Sequence, residues 1–132
     1  MNGQPTAPPT APAEQVAAAF HAVADMVTQL GIIDIQITTW TDWDGTLHVE
    51  LEPGFDYADP AVLRARIDAI ARWISADLHA SHSRGDLWNV SGRGTLSPTT
   101  VAHVHQRIRG RQHVLDLAPL PTRNRTRQEA GR

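Results

Sequence analysis

Two short stretches of strict alternation constrain most of what this chain can become. Ile33, Ile35 and Ile37 alternate with Asp34, Gln36 and Thr38; Leu47, Val49 and Leu51 alternate with His48, Glu50 and Glu52. A period of two with one apolar and one polar face is the pattern of an antiparallel sheet covered on one side only. A hairpin turning through residues 41–45 pairs Ile37 with Val49 and Ile35 with Leu51, so the apolar faces coincide. That face needs a second layer, and the chain supplies two helical stretches to make it.

The spacing predicts a first helix over 13–30, with Val16, Ala19, Phe20, Val23, Val27 and Leu30 in one stripe. Glu14 suits the dipole of its first turn, and Gly31 stops it. A second helix starts at Asp59 as N-cap and Pro60 as first helical residue. Leu63, Ile67, Ile70, Ile74 and Leu78 form its stripe, and it is expected to run to about Ala80. Period two then returns in strands predicted at 87–91, 100–108 and 112–117. A two-residue turn at Arg109-Gly110 pairs Val104 with Leu115 on one face and His103 with Asp116 on the other. The order α-β-β-α-β-β-β gives an α+β fold, a two-layer sandwich of an antiparallel sheet with both helices on one face.

Residues 1–12 hold four prolines and read as a disordered or extended arm. Residues 13–118 are the single folded domain, and 119–132 a disordered arginine-rich tail. Cysteine is absent, which excludes disulfides, thiolate zinc sites and cysteine nucleophiles. Every basic side chain is arginine, so no lysine Schiff base or lysine phosphate clamp can form. No apolar run has the length of a membrane span and no secretory leader is recognisable, which reads as cytoplasmic.

Charge is split along the chain. Residues 1–63 carry nine of the fourteen acids and no basic side chain; Arg64 is the first of twelve arginines. Within the basic part, Arg107, Arg109 and Arg111 cluster at the expected hairpin tip. Arg93 lies in an expected glycine-rich loop, Ser91-Gly92-Arg93-Gly94, and Arg123, Arg125 and Arg127 alternate in the tail. Guanidinium forks suit phosphate oxygens and carboxylates alike. The split therefore fits a nucleic-acid contact, or an acidic surface meeting a basic one on a partner or a second copy. Trp43, at the first hairpin tip, with Glu50 and Glu52 on the polar face, is the candidate interface on the acidic side.

The string Asp42-Trp43-Asp44-Gly45-Thr46-Leu47 resembles the nucleophile loop of haloacid-dehalogenase-type phosphatases. That resemblance implies Asp42 as nucleophile, Asp44 as acid and base, and magnesium held by both. It spans six residues. The family sets this loop after a buried parallel strand, whereas Asp34 and Gln36 interrupt the strand here. The family's downstream lysine and acidic pair are missing. The bland reading is a hairpin turn, in which Asp and Gly are favoured. Arg84-Gly85-Asp86 spells the integrin-binding tripeptide and likewise reads as a turn.

Seven histidines raise the question of a metal. His103 and His105 share a strand face, but His113 is expected on the opposite one and His82 beyond the helix that carries His79. No metal site is assigned; His103 and His105 are the nearest to a ligand pair. His103 beside Asp116 also has the outline of a catalytic histidine with its orienting carboxylate, without an identifiable nucleophile. The sequence as a whole reads as a non-enzymatic accessory protein without a cofactor. It acts through protein contact or self-assembly of its acidic and basic parts. Nucleic-acid binding through the arginine-rich end is the alternative, and a small hydrolase or metal enzyme the second.

Overall fold

The computed structural model describes residues 11–55 and 57–120, and the arginines at 123, 125 and 127 lie outside them. The element order is α1 (Ala13–Leu30), β1 (Gln36–Thr41), β2 (Leu47–Glu52), α2 (Pro60–Ile74), β3 (His79–Arg84), β4 (Leu87–Ser97), β5 (Thr100–Arg109), a 3-10 turn (Arg111–His113) and β6 (Ala118–Pro119). The strands form one sheet in the order β1-β2-β5-β4-β3-β6. Neighbours are antiparallel except β2 with β5 and β3 with β6, so the sheet is mixed. The chain leaves β2, crosses through α2 to the far side, and works back inward until β5 lies along β2.

The first hairpin forms with a register two residues from the expected one: Ile37 faces Leu51 and Thr39 faces Val49. The turn is centred one residue later than expected, at residues 42–46, and is closed by Asp42 N–H to the Thr46 carbonyl (2.9 Å) and Gly45 N–H to the Asp42 carbonyl (2.9 Å). Because the displacement is even, each side chain keeps its face. Ile33 and Ile35 precede the strand, and Ile33 is exposed. In α1, Ala19, Val23 and Met26 are buried, while Phe20 is 43% exposed. The inward face follows steps of four and three through 19, 23 and 26, and Phe20 stands about 100° round from Ala19.

Helix α2 begins as expected, with Asp59 Oδ1 accepting from Ala61 N–H at 2.9 Å. It ends at Ile74, not near Ala80. Ser75 takes a left-handed conformation (φ 58°), and Ala76 N–H bonds the Ala71 carbonyl. This reversal lets residues 75–78 pass across β4, where Gly92 and Gly94 leave room for the carbonyls of Asp77 and Ile74. The Ser91–Gly94 segment is therefore strand interior at a close backbone approach, not a loop.

The expected hairpin at Arg109-Gly110 does not form. β5 pairs with β4 through a turn at 98–99, so Val104 faces Gly92 and His103 faces Arg93. Leu115 is 65% exposed. Asp116 instead accepts from Arg64 Nη1 and Nη2 (2.7 and 2.8 Å), while Arg64 Nε donates to Asp68 and Nη1 also to the His113 carbonyl. These bonds tie the segment after β5 to α2.

Arg64 lowers the Asp116 pKa to about 2. A carboxylate depressed in the folded state contributes stability above its unfolded pKa, about 3.9, and loses it as pH falls towards the folded value. Protection factors of the amides in residues 111–119, taken relative to intrinsic exchange at each pH, are therefore expected to fall between pH 4 and pH 2. Asp116→Asn should raise exchange at neutral pH and flatten that dependence. Equal slopes in the two proteins would refute the anchor.

Both helices lie on one face. Leu63, Ile67, Ile70 and Ile74 of α2 and Val23 and Met26 of α1 share a core with Leu47, Val49, Leu51, Val90, Ala102, Val104 and Ile108 of the sheet. Among the described residues, no helix covers the other face of the sheet. No helix among the described residues is long and apolar enough to cross a membrane.

Candidate functional site

Registry lays out the uncovered face in rows. Thr38, Glu50, His103 and Arg93 form one row across β1, β2, β5 and β4. His105, Ser91 and His79 form a second across β5, β4 and β3. At the β1–β2 end, Trp40 faces His48. Each of these side chains is on the polar side of an alternating strand, directed there by the burial of its neighbours.

A linear hydrogen-bonded chain crosses this face. Asp42 Oδ2 accepts from His48 Nε2 at 2.6 Å, and His48 Nδ1 lies 2.9 Å from His103 Nε2. An ionised carboxylate can only accept, so it fixes the proton on His48 Nε2. In the neutral relay His48 Nδ1 is then an acceptor, His103 Nε2–H donates to it, and His103 Nδ1 keeps its lone pair. The His48 and His103 rings have centroids 5.1 Å apart, and the Trp40 ring lies 5.1 and 5.4 Å from them. His48 is only 5% exposed although it belongs to the open face, because Trp40 and His103 cover it.

Burial pushes the His103 pKa below the ordinary imidazole value, and the nearby His48 and Arg93 push it the same way; Glu50 and Asp42 oppose them. These causes together favour the neutral imidazole of His103. Beside it is a recess of about 470 Å³, walled by Glu50, Asp77, His79, Ser91, Arg93 and His105 among others. It opens where the chain climbs from the end of α2 to the start of β3. His79 Nδ1 is buried there without a hydrogen-bond partner.

The residues singled out in the sequence fall in different places. Arg93, Glu50, His103 and His105 come together around the recess. Glu52 and Arg107 share its face further along β2 and β5. Arg109 is outside the group, paired with Asp86 at 3.0 Å, and Arg111 sits in the 3-10 turn, so Arg107, Arg109 and Arg111 do not form the expected hairpin tip. Trp43 is 81% exposed at the β1–β2 turn. Asp44 is occupied in that turn, its Oδ1 accepting from Thr46 N–H, and that bond lowers its pKa. Asp42 serves His48. The DxDGTL string thus closes a hairpin between antiparallel strands, unlike the phosphatase loop. No group of three or more metal-ligating side chains converges among the described residues.

Sequence reasoning missed the Asp42–His48–His103 relay. Its local half was readable, since a turn carboxylate and a polar-face histidine six residues on can meet in a hairpin. The second half depends on β5 lying beside β2, a pairing of distant segments that no local pattern announces. Neither the protein-family models nor the curated proteins compared with this chain match it.

Proposed function

We propose that this protein is a non-enzymatic binding protein that self-associates through the open face of its sheet. One observation carries the reading: acids and bases occupy adjoining strips of that face. Glu50 and Glu52 lie on β2, and Arg93 and Arg107 on β4 and β5. On this reading, the charge split along the sequence becomes a lateral split on one face of the sheet. Two copies stacked about a two-fold axis set the acidic strip of each over the basic strip of the other. The pairing is isologous and needs no further component. Ion pairs of the described residues such as Arg64–Asp68, Arg64–Asp116 and Arg109–Asp86 join members of the basic part to each other. They leave Glu50, Glu52 and Arg93 to other uses. Trp40, 39% exposed beside the acidic strip, adds apolar area to the same contact.

Solution mass by light scattering at low and high sodium chloride tests this reading. Expected is a mass near twice 14.5 kDa at low salt, falling towards 14.5 kDa as salt rises. Glu50→Arg should abolish the dimer, and Glu50→Arg combined with Arg93→Glu should restore it by exchanging the strips. A monomer at every salt concentration overturns the reading.

Nucleic acid is the competing partner, supported by the guanidinium groups on β4 and β5. It would show as binding to a mixed-sequence oligonucleotide that weakens steeply with salt and with Arg93→Ala.

A further inference from the structure

We propose that the recess on the open sheet face binds a small oxyanion, a phosphate or carboxylate group. Arg93 holds it, and His103 takes up one proton as it binds. A single chain carries every residue the site uses; the dimer proposed above would set the acidic strip of a second copy over Arg93 and compete with the anion.

The row Glu50–His103–Arg93 borders the recess. Arg93 is exposed, and its guanidinium offers a planar donor fork at the mouth of the recess. Around it stand donors that suit an oxyanion: the Ser91 hydroxyl and the His79 and His105 imidazoles. His79 lines the recess, and its Nδ1 is buried with no hydrogen-bond partner among the described residues. Glu50 and Asp77 on the remaining walls repel an anion, which places it at the Arg93 end. They would accept from hydroxyl or amine groups on the rest of the molecule. The volume, about 470 Å³, suits a small metabolite.

The proton follows from the relay. In the free protein His103 Nε2–H is directed at His48, and Nδ1 holds a lone pair. Protonating Nδ1 yields an imidazolium whose first N–H still donates to His48, while His48 still donates to Asp42. The new charge thus gains a carboxylate at the end of the chain and an N–H for the ligand. The groups facing His103 are His48 and Glu50 from β2, Arg93 from β4 and Asp42 from the β1–β2 turn. His105 shares its strand face. In the free protein, burial, His48 and Arg93 disfavour protonation. An anion on Arg93 cancels that repulsion and adds its own attraction. The proton comes from solvent, and no bond other than the new N–H forms or breaks.

Sulfate is the probe, because it remains a dianion between pH 6 and pH 8. Its affinity is measured by calorimetry at constant ionic strength in two buffers of different ionisation enthalpy, with particle mass read in the same samples. Expected is binding that tightens about tenfold from pH 8 to pH 6, with proton uptake approaching one. Arg93→Gln should weaken sulfate at least tenfold. His103→Asn should leave binding but hold it within twofold across that pH range. His105→Asn should retain the pH dependence. The His103 ring resonances should move on sulfate addition in the wild type. No sulfate binding, or a pH dependence that survives in His103→Asn, overturns the proposal. Particle mass shows which species binds sulfate, so binding by a monomer would leave the proposal standing, while self-association is judged by its own salt series without sulfate.

Discussion

Gly94→Ala is expected to destabilise the protein by about 3 kcal/mol, the upper part of the range for forcing a methyl group into packed structure. A Cβ at Gly94 would meet the carbonyl of Ile74, a backbone atom held at the last turn of α2. A flexible side chain could swing away; this carbonyl moves only if the helix end moves. The clash would therefore push the end of α2 off β4 and disturb the left-handed step at Ser75 that starts β3. Chemical denaturation checks it: the midpoint should fall with little change in slope. Gly31→Ala is the control, because Gly31 has open space around it and a positive φ of 68° as the cap of α1. Its cost should be about 1 kcal/mol, from backbone conformation alone. Equal effects at the two glycines would show that α2 does not lie against β4 as described.

Leu51→Ala should cost about 2–5 kcal/mol, against a smaller loss for Ile37→Ala. The two residues face each other across β1 and β2. Leu51 is fully buried on a strand with neighbours on both sides, whereas Ile37 is half-buried on the edge strand and packs against the core from one side. Removing Leu51 leaves a cavity between β2, β5 and the helices. Removing Ile37 leaves a gap that water and neighbouring side chains can partly fill. Denaturation midpoints of the two variants decide the order. If Ile37→Ala proves the costlier, β1 cannot be the edge of the sheet.

Local chemistry was legible wherever one segment decides its own state. Pro60 after Asp59 starts α2, because the cap and the proline act within a single turn. Gly31 ends α1 through its own left-handed backbone. The even alternation of Leu47–Glu52 assigns faces that survive a two-residue change of register. The same patterns misread residues 75–80, where Leu78 continues the helical spacing in sequence. There a contact with β4, far along the chain, turns the backbone instead. Glycines 92 and 94 read as a loop for the same reason: their missing side chains serve a neighbouring element.

The candidate site divides along the same line. The sequence by itself determined that Glu50, His103 and His105 stand on polar faces of strands, that two helices cover the opposite face, and that charge is unevenly distributed. Periodicity and capping act over a few residues, so they can be read from a few residues. Only the tertiary structure decided that β5 lies between β2 and β4. That placement sets His103 between Glu50 and Arg93, brings it within hydrogen-bonding distance of His48, and separates it from Asp116. Strand order is chosen by the burial of the whole apolar face at once, through contacts between segments some fifty residues apart, and no local pattern records that choice.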